Sequence, residues 1–125
     1  MFKASTENRG DSKYYVTTRH SSFMLDTEGN GANPIDMLLA SLCGCLGHYV
    51  RDYLIEHMVS HSGFAINSET KATADKARLD KIDVCIDLKG AVLTERQTKE
   101  LLSFLENCKI NKILRDNPGV AISLA

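Results

Sequence analysis

The chain of 125 residues carries 15 Lys and Arg against 16 Asp and Glu, a net charge of −1, with the two signs interspersed. That length suits one domain over residues 1–125, with a core of its own but a large surface for its volume, so a second copy would help it bury apolar area. Balanced charge leaves no electrostatic footprint for nucleic acid or an anionic membrane, and neither is expected as a partner. Met1 to Glu7 lack the charged and apolar regions of a signal peptide, and no apolar stretch is long enough to span a bilayer, so a cytoplasmic protein is expected.

Asn8-Arg9-Gly10-Asp11 has a turn composition, and Lys13 to His20 is β-branched and aromatic, which together predict a hairpin. Ser22 to Asp26 adds or continues a strand. Glu28-Gly29-Asn30-Gly31-Ala32 is a loop of residues that tolerate positive φ. Asn33 then caps a helix whose first position is Pro34, where a missing N–H costs nothing, and the apolar pattern persists to Met58. After a turn at Ser60 to Gly63, residues 64–74 suit a strand with a polar exit at Asp75 to Arg78. The next strand is clearer, because Ile82, Val84, Ile86 and Leu88 alternate with Asp83, Cys85, Asp87 and Lys89. Thr94-Glu95-Arg96-Gln97 is a capping box, and Leu101, Leu105 and Cys108 share one stripe of the helix it opens. Ile110, Ile113 and Leu114 predict a further helical turn or two, Asn117-Pro118-Gly119 a stop, and Val120 to Leu124 a closing strand. Strands, a long central helix, strands, a second helix and a short strand make an α+β order.

The four cysteines are the residues most able to carry chemistry. In a reducing compartment they are core residues, metal ligands or reactive thiols rather than a disulfide framework. Zinc sites use Cys-x2-4-Cys and a matching second pair, whereas here Cys43 and Cys45 stand two apart on one helix and Cys85 and Cys108 stand alone, so no metal or other cofactor is expected. At about 100° per residue, Cys43 and Cys45 point about 200° apart, and any partner for either must come from elsewhere in the fold. Cys43 falls within the apolar arc of Leu39, Leu42, Leu46, Val50, Tyr53 and Leu54 and is expected to be a buried small hydrophobe. Cys45 lies off that arc and is the better candidate for reaction. It sits too deep in the helix for the dipole to favour its thiolate, so a cation must do so: His48 one turn on, or Arg9 or Arg19 from the N-terminal hairpin. His48 is equally an ordinary polar residue on the helix flank. Cys85, between Asp83 and Asp87 on the polar side of its strand, is a bystander, because neighbouring negative charge discourages a thiolate. Cys108, followed by Lys109 and Lys112, is either a second reactive thiol or simple core packing.

The run Asn33-Pro34-Ile35-Asp36-Met37-Leu38-Leu39-Ala40-Ser41-Leu42-Cys43-Gly44-Cys45, with Glu106-Asn107-Cys108-Lys109-Ile110-Asn111-Lys112-Ile113-Leu114 downstream, resembles the OsmC/Ohr family over almost the whole chain. The Pro-x-x-x-Leu-x-x-x-x-x-Gly-Cys pattern places the family's first cysteine on Cys45, and its second falls on Cys108. The resemblance implies an OsmC-like fold in an intertwined homodimer. It also implies a thiol peroxidase of oxidative-stress defence, with Cys45 attacking an organic hydroperoxide, Cys108 closing a disulfide, and a dithiol reductant reopening it. Arg9 resembles the loop arginine of those enzymes. Ile35 stands where the peroxidases carry a glutamate after the proline, and Lys109 where they carry proline after the second cysteine, which places the chain nearer the OsmC-like branch. A non-catalytic dimer of the same fold, binding an apolar small molecule or sensing oxidation through its thiols, is the alternative.

Overall fold

A computed structural model describes residues 1–125 as five strands and three helices. Their order is β1 (Ala4–Asn8), β2 (Lys13–Thr18), β3 (Ser22–Asp26), α1 (Pro34–Glu56), β4 (Ala65–Ala72), β5 (Leu79–Asp87), α2 (Glu95–Leu105) and α3 (Lys109–Asp116). This is the α+β arrangement expected, with every named strand pair antiparallel. The chain divides into two compact units, Met1–Leu39 and Ala40–Ala125, the boundary falling inside α1.

In the first unit the strands form one sheet in the order β1-β2-β3, with Asn8 opposite Tyr14 and Lys13 opposite Asp26. The expected turn joins β1 to β2. The Asn8 amide donates to the carbonyls of Asp11 and Lys13 at 2.8 and 2.9 Å, and Gly10 supplies a φ of 94° that a side chain would resist. Asp26, at the end of β3, is 1% exposed, and its Oδ1 accepts from the Ser12 hydroxyl at 3.0 Å and the Glu28 amide at 2.8 Å. The start of α1 follows the sequence reading, with the Asn33 side chain accepting from the Ile35 amide at 2.8 Å ahead of Pro34.

In the second unit α1 is the centre of the core. Leu42, Leu46, Val50, Tyr53 and Leu54 are buried on it, joined by Leu101, Leu105 and Cys108. On a helical wheel, Gly47, Leu54, Cys43, Val50, Leu46, Tyr53, Leu42, Tyr49 and Cys45 follow one another around an arc of about 200°. One border of that arc meets β4: the Cys43 thiol donates to the Ser68 hydroxyl at 3.1 Å, and a side chain at Gly47 would touch Phe64 and Ile66. The other border meets α2. No helix is long and apolar enough to cross a membrane.

The ends of the helices explain three features of the sequence. Helix α1 stops two residues short of Met58 because Met58 turns to a φ of 51°, its amide bonding Ile55 and the Val59 amide reaching back to Leu54 at 2.9 Å. That pair of bonds is a Schellman cap, with Val59 packing on the core below it. Helix α2 opens on the expected capping box, Thr94 Oγ1 accepting from the Gln97 amide and Gln97 Oε1 from the Thr94 amide. Helix α3 ends at Asn117, left-handed at φ 46°, before Pro118.

The closing strand at Val120 to Leu124 is not formed, and the tail pairs with neither sheet. Alternation marks a face for a strand but supplies no edge to pair with. Val120, Ile122 and Leu124 are left 83%, 90% and 98% exposed. Met58 is also 90% exposed, so replacing it removes no packing. We expect Met58→Gly to raise stability by about 0.5–1 kcal/mol in urea unfolding, by relieving the left-handed strain at an unpacked position. A loss of stability would contradict the cap described here.

Candidate thiol site

The contact between α1 and α2 is a ladder of three rungs. Tyr53 shares its one hydroxyl proton between the Gln97 carbonyl at 3.2 Å and Glu100 Oε2 at 3.1 Å. One turn back along α1, the Tyr49 ring meets the Phe104 ring with centroids 5.4 Å apart. One turn further back, Cys45 stands against Cys108. Each rung steps four residues down α1 and four up α2, the signature of two antiparallel helices sharing one face. Cys108 lies three residues past the end of α2, but the Glu106, Asn107 and Cys108 amides bond back to Ser103, Phe104 and Leu105 at 3.2, 3.1 and 3.1 Å. That tightened last turn carries the helical spiral on and delivers Cys108 to the third rung.

The two thiols have different surroundings. Cys108 is fully buried, and Cys45, on the border of the buried arc, is half-buried. Burial pushes the Cys108 thiol above its ordinary value of 9.0, and the nearness of Cys45 pushes it further. The amides of Ile110 and Asn111, in the first turn of α3, pull the other way, but Cys108 makes no capping hydrogen bond to them and desolvation wins. Cys108 is therefore held as a neutral thiol.

The remaining residues singled out from the sequence divide between the units. Arg9 belongs to the first, where its Nε bonds Glu7 Oε1 at 3.2 Å and its guanidinium lies 4.1 Å over the Tyr15 ring. His48 pairs through Nε2 with Asp52 at 3.3 Å and meets Tyr49 edge-on at 5.8 Å. Cys43 is half-buried rather than the buried hydrophobe expected, and its thiol donates to the Ser68 hydroxyl of β4. Cys85 is exposed on the outer side of β5, opposite Asn67. No three His, Cys, Asp or Glu side chains converge as a metal site would need.

Sequence reasoning missed Tyr49, Tyr53, Glu100 and Phe104. Their spacing of four was visible within each helix, but the offset that pairs one helix with the other is a long-range fact. Tyr53 read as apolar filling, whereas its hydroxyl is held above the ordinary 10.0 by burial and by the Glu100 bond, and Glu100 is held below 4.5 first by that same bond and then by Arg96.

The sequence pattern that defines the OsmC-like protein family matches residues 27–123, a span that includes both members of the thiol rung. The chain belongs to this family. Its fold is shared by solved structures of low identity. An OsmC-like protein from Mycoplasma pneumoniae superposes with a TM-score of 0.81 at 17% identity, covering 94% of this chain and 89% of that one. An organic hydroperoxide resistance protein OsmC from Legionella pneumophila gives 0.62 at 20% identity, covering 94% and 90%. The organic hydroperoxide resistance protein OhrB of Bacillus subtilis gives 0.62 at 19% identity, covering 94% and 92%. A comparison with curated proteins finds no match.

The thiol environments set an order of reactivity. On the native protein, iodoacetamide should modify exposed Cys85 first and Cys108 last, with Cys108 still unmodified as the pH approaches its ordinary value of 9.0 and reacting once denaturant is added. Peptide mapping that finds Cys108 alkylated as fast as Cys85 would overturn the assignment of Cys108 to the core.

Proposed function

We propose that the chain is a thiol-dependent peroxidase that reduces organic hydroperoxides through Cys45 and Cys108, working in oxidative-stress defence in the cytoplasm. The observation that carries this reading is the third rung, a half-buried thiol standing against a buried one that keeps its proton. Family membership and the hydroperoxide resistance proteins among its structural neighbours support it.

In the proposed cycle the Cys45 thiolate attacks the terminal oxygen of the hydroperoxide. The O–O bond breaks, the alkoxide leaves and takes up a proton as alcohol, and Cys45 becomes a sulfenic acid. Cys108 then condenses with it: the S–S bond forms, the S–O bond breaks, and the hydroxyl leaves as water with the proton of Cys108. A dithiol reductant returns two electrons by exchange through a mixed disulfide. Tyr49 and Phe104, adjoining the rung, give its surroundings an apolar character that suits an organic rather than an inorganic peroxide. Arg9 and His48 enter as supporting residues, to be judged by whether Arg9→Ala and His48→Ala slow turnover while leaving the fold intact.

A homodimer is part of this reading. The uncovered Val120, Ile122 and Leu124 suit cover by a second copy, as does Leu102 at 57% exposure. Sedimentation should then give twice the 13.8 kDa chain mass, and a monomer at micromolar concentration would remove the dimer from the proposal.

A second reading, a non-catalytic dimer that binds an apolar small molecule or senses oxidation, draws on Ile35, an apolar residue 44% exposed where the peroxidases carry glutamate. One experiment separates the two. One equivalent of cumene hydroperoxide should convert the reduced protein to a form lighter by two hydrogens, with Cys45 linked to Cys108 in peptide maps. Cys45→Ser should abolish turnover, whereas a binder would keep its ligand. Free thiols unchanged after hydroperoxide would refute the peroxidase.

A further inference from the structure

The first rung has no part in the chemistry proposed for the third, yet it holds the only side-chain hydrogen bonds that cross from α1 to α2. Between the two rungs the contact is made by Leu46, Val50, Leu101 and Leu105 with the tilted Tyr49 and Phe104 rings. Apolar contact is non-directional and constrains a slide of one helix along another only weakly. A disulfide is far less tolerant, since its Cα atoms must stand about 4.4–6.8 Å apart, while one residue of slip moves a helix by about 1.5 Å. Something directional must set the register.

We propose that Tyr53 is the positioning residue for the Cys45–Cys108 pair. Its hydroxyl engages α2 at a backbone carbonyl, which cannot move without the helix, and at Glu100, which Arg96 holds in turn at 3.0 Å. The ring is kept in place from the other side by His57, stacked at 3.9 Å, whose Nδ1 lies 3.0 Å from the Tyr53 carbonyl. Tyr53 is 3% exposed, which limits the access of water to its hydroxyl. Two turns separate Tyr53 from Cys45 on α1, and Glu100 is joined to Cys108 through the rest of α2 and the tightened turn bonded back onto it, so a register fixed at the first rung is transmitted to the third. The clamp acts on the distance between the thiols and touches neither of them.

This inference rests on Cys45 and Cys108 forming a disulfide, and the test separates its fate from that of the peroxidase. Reduced protein is oxidised in parallel with diamide, a direct thiol oxidant, and with cumene hydroperoxide, and closure of the Cys45–Cys108 link is followed by quenched-flow alkylation and mass. Tyr53→Phe keeps the ring and removes the clamp. We expect it to close about tenfold more slowly with diamide than the parent, within the hundredfold that a displacement of about 1 Å can cost. That comparison is made where unfolding curves show both proteins folded. Glu100→Ala, on the solvent flank, removes one of the two bonds without touching the core; it should slow closure by a smaller factor, and it decides the matter if Tyr53→Phe does not fold. Slowing should be accompanied by longer-lived single-thiol adducts on Cys45, which a general loss of stability would not produce. Closure at the parent rate in the folded variants overturns the clamp, and so does a parent protein that diamide cannot close. A parent that closes with diamide but not with the hydroperoxide ends the peroxidase reading and leaves the clamp to be decided by the diamide series.

Discussion

The antiparallel contact between α1 and α2 is the constraint on which the site depends. It makes a helix of modest amphipathicity into the centre of a core, because β4 covers one border of its apolar arc and α2 the other. It also resolves the Cys-x-Cys segment. Two residues about 200° apart cannot share a partner, and here they do not: Cys43 meets a serine of the sheet and Cys45 the cysteine beyond α2. Which of the two thiols meets a second cysteine is therefore decided by which neighbour packs on which border.

Electrostatics and packing act together at the rung. Cys108 sits at the first turn of α3, a place where a helix dipole favours a thiolate, yet burial outweighs it. The outcome distinguishes the two sulfurs, one protonated and enclosed, the other half-buried at the edge of the core. The helix junction that gives Cys108 this place is the tightened turn from Glu106 to Cys108, so a local feature of backbone geometry fixes the chemical character of a side chain.

Much of this was legible from residues alone, and the reasons are local. Asn33-Pro34, the Thr94 box and Asn117-Pro118 end or begin helices through bonds made within a few positions, and each appears where its sequence signal lies. Cys45 was separable from Cys43 because helical angle is a property of one segment. The tail departs from its sequence pattern for the opposite reason: an alternating strand is completed only by an edge elsewhere, and Val120 to Leu124 has none in this chain. Met58 continues the apolar pattern of the helix, while its conformation is set by the Schellman bonds beneath it. The ladder was invisible because nothing in α1 announces the offset at which α2 docks; only the resemblance to the family joined Cys45 to Cys108, and family knowledge did not supply Tyr53 or Phe104.

The central claim is that the fold itself holds the sulfurs of Cys45 and Cys108 together before any oxidant arrives. Its most direct measurement is the thiol–disulfide equilibrium of this pair in glutathione buffers, with Cys43 and Cys85 replaced by alanine so that no other sulfur reports. The account predicts a cooperative passage from dithiol to intramolecular disulfide with little mixed disulfide at any ratio, and a folded protein at both ends. Glutathione accumulating on Cys45 while Cys108 remains a free thiol would contradict it.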